Sequence, residues 1–489
     1  MIEKRFVRTL TILNVAILGL TWRAHAQAPA AGSTGSSGTA VIATPSTQAT
    51  GEFQQSVPQG TASPTPMALT LQDAIVRGLR ANLGLLTSEQ STVQSKGERL
   101  QNLSALLPNV QGTVQETVQQ VNLGALGFGK VSVPGFKIPL IIGPFSYSTA
   151  EAQASVPVFN WGNWQAYRAA KERLRGSELS LKDARDLVVL AVSNAYLEII
   201  ASAARVDAIQ AQVNTAQVLF DRASDQKRAG VVPAIDVLRA QVELQQQQQA
   251  LLVQKNQLEK DKLTLGRVIG LPNGQQFTVA DPTPPVPMEA VNLDEALTKA
   301  YANRPDYQAA EAQVHASELS VRAAKAEWYP TLALSGYYGD QGPTFAFSHG
   351  IFSLTGSLNF NIFDGRRIRG EVMQREADLN NSRNQLQNLK GQIDFDVRTA
   401  LLDLKASSDQ VAVAKSNSQL ANETLRQSQD RFTAGVADNV EVVQAQESVA
   451  TANQNLINAQ YSNNLAKVEL ARALGLAEQG IRTYFAKQP

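Results

Sequence analysis

Long helical hairpins, duplicated within one chain and joined to a few membrane β-strands, are the fold class this sequence predicts: mainly α with membrane β. Three observations predict it. First, the chain carries one folding unit twice. At an offset of 205 residues, Val192, Ala195, Leu197, Ala201 and Val206 match Val397, Ala400, Leu402, Ala406 and Val411. Upstream, at an offset of 222, Leu71, Ala74 and Pro108 match Leu293, Ala296 and Pro330. Second, each copy holds an unbroken helical pattern about 70 residues long, or about 100 Å at 1.5 Å per residue. Third, each copy holds segments that alternate apolar and polar residues, the period of a half-buried strand. A repeat on this scale points to a conduit or scaffold rather than an active site.

The elements follow in order. Residues 1–26 read as a signal peptide: Lys4, Arg5 and Arg8 precede an apolar stretch from Leu10 to Leu20, and Ala24-His25-Ala26 is a small-x-small cleavage site. The competing reading is an uncleaved anchor. No later segment reads as the run of about 18 apolar residues that a spanning helix needs. Residues 27–66 are rich in Ala, Ser, Thr, Gly, Gln and Pro, and a segment so poor in apolar surface is expected to be disordered. The first repeat covers 67–280. A Pro-rich linker at 281–290, containing "DPTPPVP", separates it from the second repeat at 291–477, and a tail occupies 478–489.

Each repeat reads as helix, strand, strand, long helix, turn, helix. The first helices span about 71–106 and 294–328 and stop before Pro108 and Pro330. The long helices span about 161–229 and 365–434. They are rich in Ala, Gln, Leu and Val, and apolar residues recur at three and four, as in Val188, Val192, Ala195 and Ile199. That is the spacing of coiled-coil packing. A shorter helix at 233–269 follows the turn at Gly230 and folds back along the far end of the long one. The helix at 71–106 lies along the near end, so each repeat is two rods, one continuous and one split.

Strand alternation is clearest at 351–362. Phe352, Leu354, Leu358, Phe360 and Ile362 fall on one face, and Ser353, Thr355, Ser357, Asn359 and Asn361 fall on the other. Ala150, Ala152, Ala154, Val156 and Val158 show a weaker version. The greasy face either packs on helices in a soluble sheet or faces lipid with a wet interior behind it. Four strands are too few to close a barrel, and an open edge in lipid would leave backbone groups unpaired. Several chains must therefore contribute strands to one barrel; three would give twelve, within the range of even-numbered barrels, and cyclic symmetry would close the ring. The first hairpin is longer than the second by the apolar, Gly-rich stretch at 122–140, expected to lie on the extracellular side.

Composition excludes several classes. The chain has no cysteine, hence no disulfide and no lipoprotein anchor at a cleavage-site cysteine. A net charge of +1 gives no basis for a nucleic acid partner. The three histidines are scattered and none has a second histidine at helical spacing, so neither a metal nor another cofactor is expected. No nucleophile–base pair and no phosphate loop is present, so no enzyme activity is expected.

The stretches "LTLQDAIVRGLRAN" at 69–82 and "VNLDEALTKAYANRPD" at 291–306 have a familiar order and duplication. So do "AEWYPTLALSGYYG" at 326–339, "FNIFDGRRIRGEV" at 360–372 and "RFTAGVADNVEVVQAQ" at 431–446. Over about 69–477 the chain resembles the TolC-like family of outer-membrane efflux channels. The resemblance implies a homotrimer with a 12-stranded barrel in the outer-membrane lipid and an α-helical tunnel extending into the periplasm. It also implies a periplasmic adaptor and an inner-membrane transporter as partners, with drugs, other small molecules or secreted proteins as cargo. The alternative is a periplasmic coiled-coil scaffold or adaptor with a soluble sheet.

The candidate functional residues lie at the helical tips. Gly230-Val231 and Gly435-Val436 read as glycine caps between antiparallel helices; the resemblance adds an adaptor-contacting role. Asp236 and Glu441 each lie six residues after their tip glycine, where an acid complements a helix N-terminus. The resemblance assigns them, with Gln444, to a narrow periplasmic aperture. The chain departs from the family pattern there. Gln444 replaces a second acid, Ala437 an arginine and Phe432 a tyrosine, so closure of the aperture is expected to rest on other contacts.

Overall fold

The computed structural model describes residues 51–127, 139–280, 292–434, 436 and 439–478. The leader, residues 27–50, the linker at 281–290, most of the 122–140 loop, Gly435, Ala437 and the tail after Glu478 lie outside these.

Four long rods dominate. Helix α3 (Trp161–Arg228) turns into α4 (Ala234–Val268), and α7 (Arg367–Thr433) turns into α8 (Asn439–Ala473). Helix α3 begins at a side-chain cap, and α7, whose N-cap Arg366 makes no such bond, is held from two residues before it. The Asn160 amide oxygen accepts from Asn163 N at 2.9 Å, and the Asp364 carboxylate accepts from Ile368 N at 2.7 Å.

The first helix of each repeat is not continuous, contrary to expectation. It is broken into α1 (Leu71–Ala81) and α2 (Leu83–Ser104), and again into α5 (Leu293–Asn303) and α6 (Pro305–Lys325). The breaks, Asn82 and Arg304, are equivalent positions with extended backbone. Pro305 explains the second, because a residue before proline is pushed out of the helical region. At the first, the Asn82 side chain caps α2 by accepting from Gly84 N and Leu85 N.

Two strands were not anticipated: β1 (Met67–Leu69) and β4 (Phe277–Val279), paired in parallel. They sit on a belt of packed side chains with Val188, Val192 and Tyr196 of α3, Leu71 and Ala74 of α1, and Leu265 of α4. Each large apolar side chain buried there contributes about 1.5–3 kcal/mol. The Tyr196 hydroxyl donates to Leu69 O at 3.1 Å, which satisfies the one polar atom of that ring inside the core.

The expectation of disorder up to residue 66 fails over 51–66. Phe53 is buried, Val57 N donates to Ala81 O at 2.8 Å, and Gln59 N donates to Gly270 O at 3.0 Å. The composition is that of a disordered segment, but one buried ring and backbone bonds to the helix break hold it. The expectation that no later segment has the composition of a spanning helix also needs correction. A window of α3 is long and apolar enough, yet most of it is buried inside the protein.

An ionic cluster holds the second repeat at the same belt. Arg304, buried at its helix break, bonds Asp306 at 2.7 Å and Asp396 of α7 at 3.0 Å. Arg472 of α8 pairs with Asp183 of α3. Arg185 grips Glu478 through two bonds of 3.0 and 2.7 Å, and Asp186 accepts from Glu478 N at 3.1 Å. Burial pushes Asp183 up despite the Arg472 charge, and pushes Asp186 up to about 6. Asp306 is also penalised by burial, but the Arg304 hydrogen bond and charge outweigh it and hold its carboxyl below the usual range.

The remaining strands, β2 (Asn109–Asn122), β3 (Ile141–Phe159), β5 (Thr331–Gly342) and β6 (His349–Asn359), form one antiparallel sheet in the order β2-β3-β5-β6. β6 is shorter than expected and stops before Phe360 and Ile362.

Candidate functional site

Register assembles the sheet faces. Leu358 lies opposite Leu332, Leu354 opposite Gly336, and Phe352 opposite Tyr338. Tyr338 lies opposite Ala152, which lies opposite Gly112, flanked on β2 by Val110 and Val114. Because side chains alternate, these residues share one face across all four strands. The other face carries Gln111, Thr113 and Gln115, then Glu151 and Gln153, then Ser335, then Ser353 and Thr355.

Exposure runs opposite to that of a soluble sheet, in which the apolar face is covered. Val114 is 75% exposed, Phe352 79% and Leu354 72%. Among the described residues no helix packs across the apolar face. Among the described residues β2 and β6 each pair on one side only, which leaves both edges of the sheet open.

The tips stand at the far end of the long helices. Gly230 has φ +73°, the left-handed geometry a helix terminus uses to reverse, and Val231 N donates back to Gln226 O at 2.9 Å. The second tip repeats the bond, Val436 N to Arg431 O at 3.0 Å. Val231 and Val436 are exposed.

Asp236 and Glu441 both lie in a first helical turn, as the spacing predicts. Each has a basic partner. The Asp236 carboxylate is 3.4 Å from Arg239, one turn along its own helix. Glu441 reaches across its hairpin, 3.2 Å from Arg431 Nε, and accepts from the Ser428 hydroxyl at 3.4 Å. Gln444 is exposed on α8 one turn further along.

Sequence reasoning missed two of the residues that join the hairpins. The Arg222 guanidinium of α3 lies 5.8 Å from the Phe432 ring centre of α7, a cation–π contact between the two hairpins. Further along the rods, Arg205 of α3 is 2.9 Å from Glu198 and donates to Asn458 of α8 at 3.0 Å. Burial and the nearby Glu198 carboxylate push the Tyr461 hydroxyl up to about 12, so it stays a neutral donor. Neither link has a repeat partner, so the offset alignment gave no signal for them. No group of His, Cys, Asp or Glu among the described residues could hold a metal.

The profile of the family described as outer membrane efflux protein matches residues 101–271 and 296–476. The pyoverdine export outer membrane protein OpmQ of Pseudomonas aeruginosa is 25% identical over 354 residues, covering 70% of this chain and 72% of its own. Outer membrane protein OprJ of the same organism is 26% identical over 320 residues, covering 63% of this chain and 65% of its own. The crystal structure of outer membrane protein VceC from Vibrio cholerae superposes with a TM-score of 0.71 at 18% identity, covering 83% of this chain and 96% of VceC. At that identity the match speaks for the fold.

Proposed function

This chain belongs to the outer membrane efflux protein family, and from that premise we propose how it builds a duct. It is an outer-membrane export duct with a helical part that extends into the periplasm. Three copies join their four-stranded sheets edge to edge into a twelve-stranded barrel, apolar face to lipid and polar face to the lumen. The observation that carries this reading is the sheet itself: an uncovered apolar face between two open edges. An edge open in lipid leaves backbone N–H and C=O groups unpaired, and ring closure satisfies them. A soluble scaffold would leave the same apolar face against water.

The tips Gly230-Val231 and Gly435-Val436 are proposed to receive a periplasmic adaptor that connects the duct to an inner-membrane pump. Asp236, Glu441 and Gln444 are proposed to line the aperture at that end. The exposed valines at both turns support the first assignment, and the first-turn placement of both acids supports the second. Relatives are named for export of pyoverdine, for toluene efflux and for antibiotic efflux, so small molecules are the proposed cargo.

Planar-bilayer recording tests the aperture. Asp236→Asn with Glu441→Gln removes up to six charges from a trimer and should lower cation selectivity without changing trimer yield. Unchanged selectivity would remove these acids from the pore. The duct itself is tested by deleting the gene: a strain that gains no sensitivity to exported small molecules and loses no outer-membrane conductance would contradict it.

A further inference from the structure

The two hairpins of one chain meet on the tip side of the rods. There α3 packs on α4, α7 packs on α8, and α3 packs on α8. The side chains that α3 brings to this meeting are small, among them Ala208, Ala211 and Ala216. An alanine reaches less far than a leucine, so the rods do not close on one another completely. The space left is a cavity of about 160 Å³ to which all four rods contribute. Part of its lining is apolar: Ala211 and Ala216, with Leu425 of α7 and Val449 of α8.

The rest of the lining is rich in oxygen and holds no lysine, arginine or histidine. Glu243 of α4 is only 9% exposed. Among the described residues its one donor is the Gln247 amide, a turn along the same helix at 2.9 Å. A carboxylate withdrawn from water is costly unless a cation or enough donors replace its hydration. The buried acids of the belt are supplied in that way: Asp306 and Asp396 have Arg304, and Asp183 has Arg472. Glu243 has no such partner. Two further acceptors line the same cavity. Gln446 of α8 is buried, and its Oε1 accepts no hydrogen bond. Asn422 of α7 donates its Nδ2 to Ser418 O at 2.7 Å, which leaves its oxygen as an acceptor. A buried acceptor without a donor has lost the hydrogen bond it made in water.

We propose that this cavity binds a primary organic ammonium ion. Three acceptors on three helices match the three N–H donors of an ammonium group, and the charge of the ion offsets that of Glu243. The apolar lining takes the carbon chain. At about 30 Å³ for each water of the liquid, the cavity has the volume of about five waters, room for a chain of about four carbons. An inorganic cation would satisfy the oxygens but leave the apolar lining against water. Glu243 belongs to the first hairpin, and Asn422 and Gln446 to the second, so one bound ion ties the two hairpins together. Glu243 stands 13 residues past Gly230, about 20 Å along the rod. The site is therefore separate from the tip acids. It lies within one chain and depends neither on the ring nor on the roles proposed for the tips.

The test uses n-butylammonium chloride and the purified protein in detergent. Binding is read by saturation-transfer NMR and by thermal unfolding. The ion should bind saturably, one per chain, and raise the unfolding temperature. n-Butanol and sodium chloride at the same concentrations should do neither. Glu243→Gln keeps the shape of the side chain, removes its charge, and should weaken binding at least tenfold. Gln446→Leu removes the acceptor without a donor. It should weaken binding several-fold while leaving the unfolding temperature of the ligand-free protein unchanged or higher, which separates a binding role from a structural one. Glu259→Gln, at an exposed acid on the same helix, should leave the affinity unchanged. Absence of saturable binding to the parent would overturn the proposal, as would undiminished affinity in both Glu243→Gln and Gln446→Leu. Equal binding of n-butanol would reduce the site to an apolar cavity, and an equal effect of sodium would make it an inorganic site; either result contradicts an ammonium site. Should Glu243→Gln not fold, Gln446→Leu decides alone.

Discussion

The two helix breaks, Asn82 and Arg304, occupy one position of the repeat and are held in different ways. At Asn82 the solution is neutral. Its amide donates to Phe53 O at 2.6 Å and its oxygen caps the next helix, under a strap formed by residues 51–66. At Arg304 the solution is ionic, with Asp306 and Asp396 as partners and the Arg472–Asp183 pair nearby. The glycine opposite each break is retained. Gly270 and Gly475 both have φ +70°, and an added Cβ would lie 2.4 Å from Ala81 Cβ at the first and 2.6 Å from Arg304 N at the second. The duplicated backbone thus imposes the bend and the close approach, while the means of satisfying the exposed backbone is free to diverge. The ionic version also brings buried carboxylates of α3, Asp183 and Asp186, that burial pushes up, which makes the contact between α3 and the second repeat sensitive to pH.

The largest effect should come from breaking the ionic side. Arg304→Met leaves two carboxylates without their cation and should cost about 3–5 kcal/mol, the usual range for removing one partner of a buried pair. Asn82→Ala removes a cap and one buried bond and should cost about 1–2 kcal/mol. Thermal unfolding of the two purified variants at pH 7.5 checks the ranking, and equal losses of melting temperature would end the contrast between the breaks. Next come the features the two sites share. Gly270→Ala and Gly475→Ala should each cost more than about 1 kcal/mol, by similar amounts, since both combine left-handed backbone with a steric overlap. A tolerated alanine at either site would mean that the close approach there is not required.

The smallest effect is the pH dependence. A raised carboxyl pKa favours the folded state while the group is protonated. The contribution of Asp186 is therefore full below the ordinary value of 3.8 and is lost as pH rises through about 6. Asp186→Asn keeps an acceptor for Glu478 N and removes the charge. It should raise the melting temperature above pH 7 and leave it unchanged near pH 4. A variant less stable than the parent at pH 8 would show that the charge is needed by Arg472, and Asn82→Ala should shift stability equally at both pH values.

The long helices and the tips were legible because nothing interrupts their periodicity and the repeat supplies each boundary twice. Pro305 offered a signal for the second break, since the residue before a proline leaves the helix. The first break offered only Asn82, whose amide became a cap through a tertiary bond to Phe53. The strap at 51–66 was illegible for the same reason, because one buried phenylalanine in a polar stretch does not change its composition. At the tips the acids were legible from their spacing. Arg239 follows Asp236 at a helical interval, but Arg431 meets Glu441 only once the hairpin has closed. The sheet faces were legible at 351–362 and weaker at 150–158. Which face stays uncovered is decided by packing, which alternation alone does not encode.

The sheet's apolar face as a lipid-facing wall is the centre of the proposed duct, and quenching of site-specific fluorophores measures it directly. Single cysteines at Val114 and Leu354, and at Thr113 and Thr355, would carry an environment-sensitive label in protein reconstituted with brominated phospholipid. Quenching by lipid at Val114 and Leu354, with iodide reaching only Thr113 and Thr355, is the predicted result. Iodide reaching all four sites with no lipid quenching would contradict the membrane wall and leave a water-exposed sheet in its place.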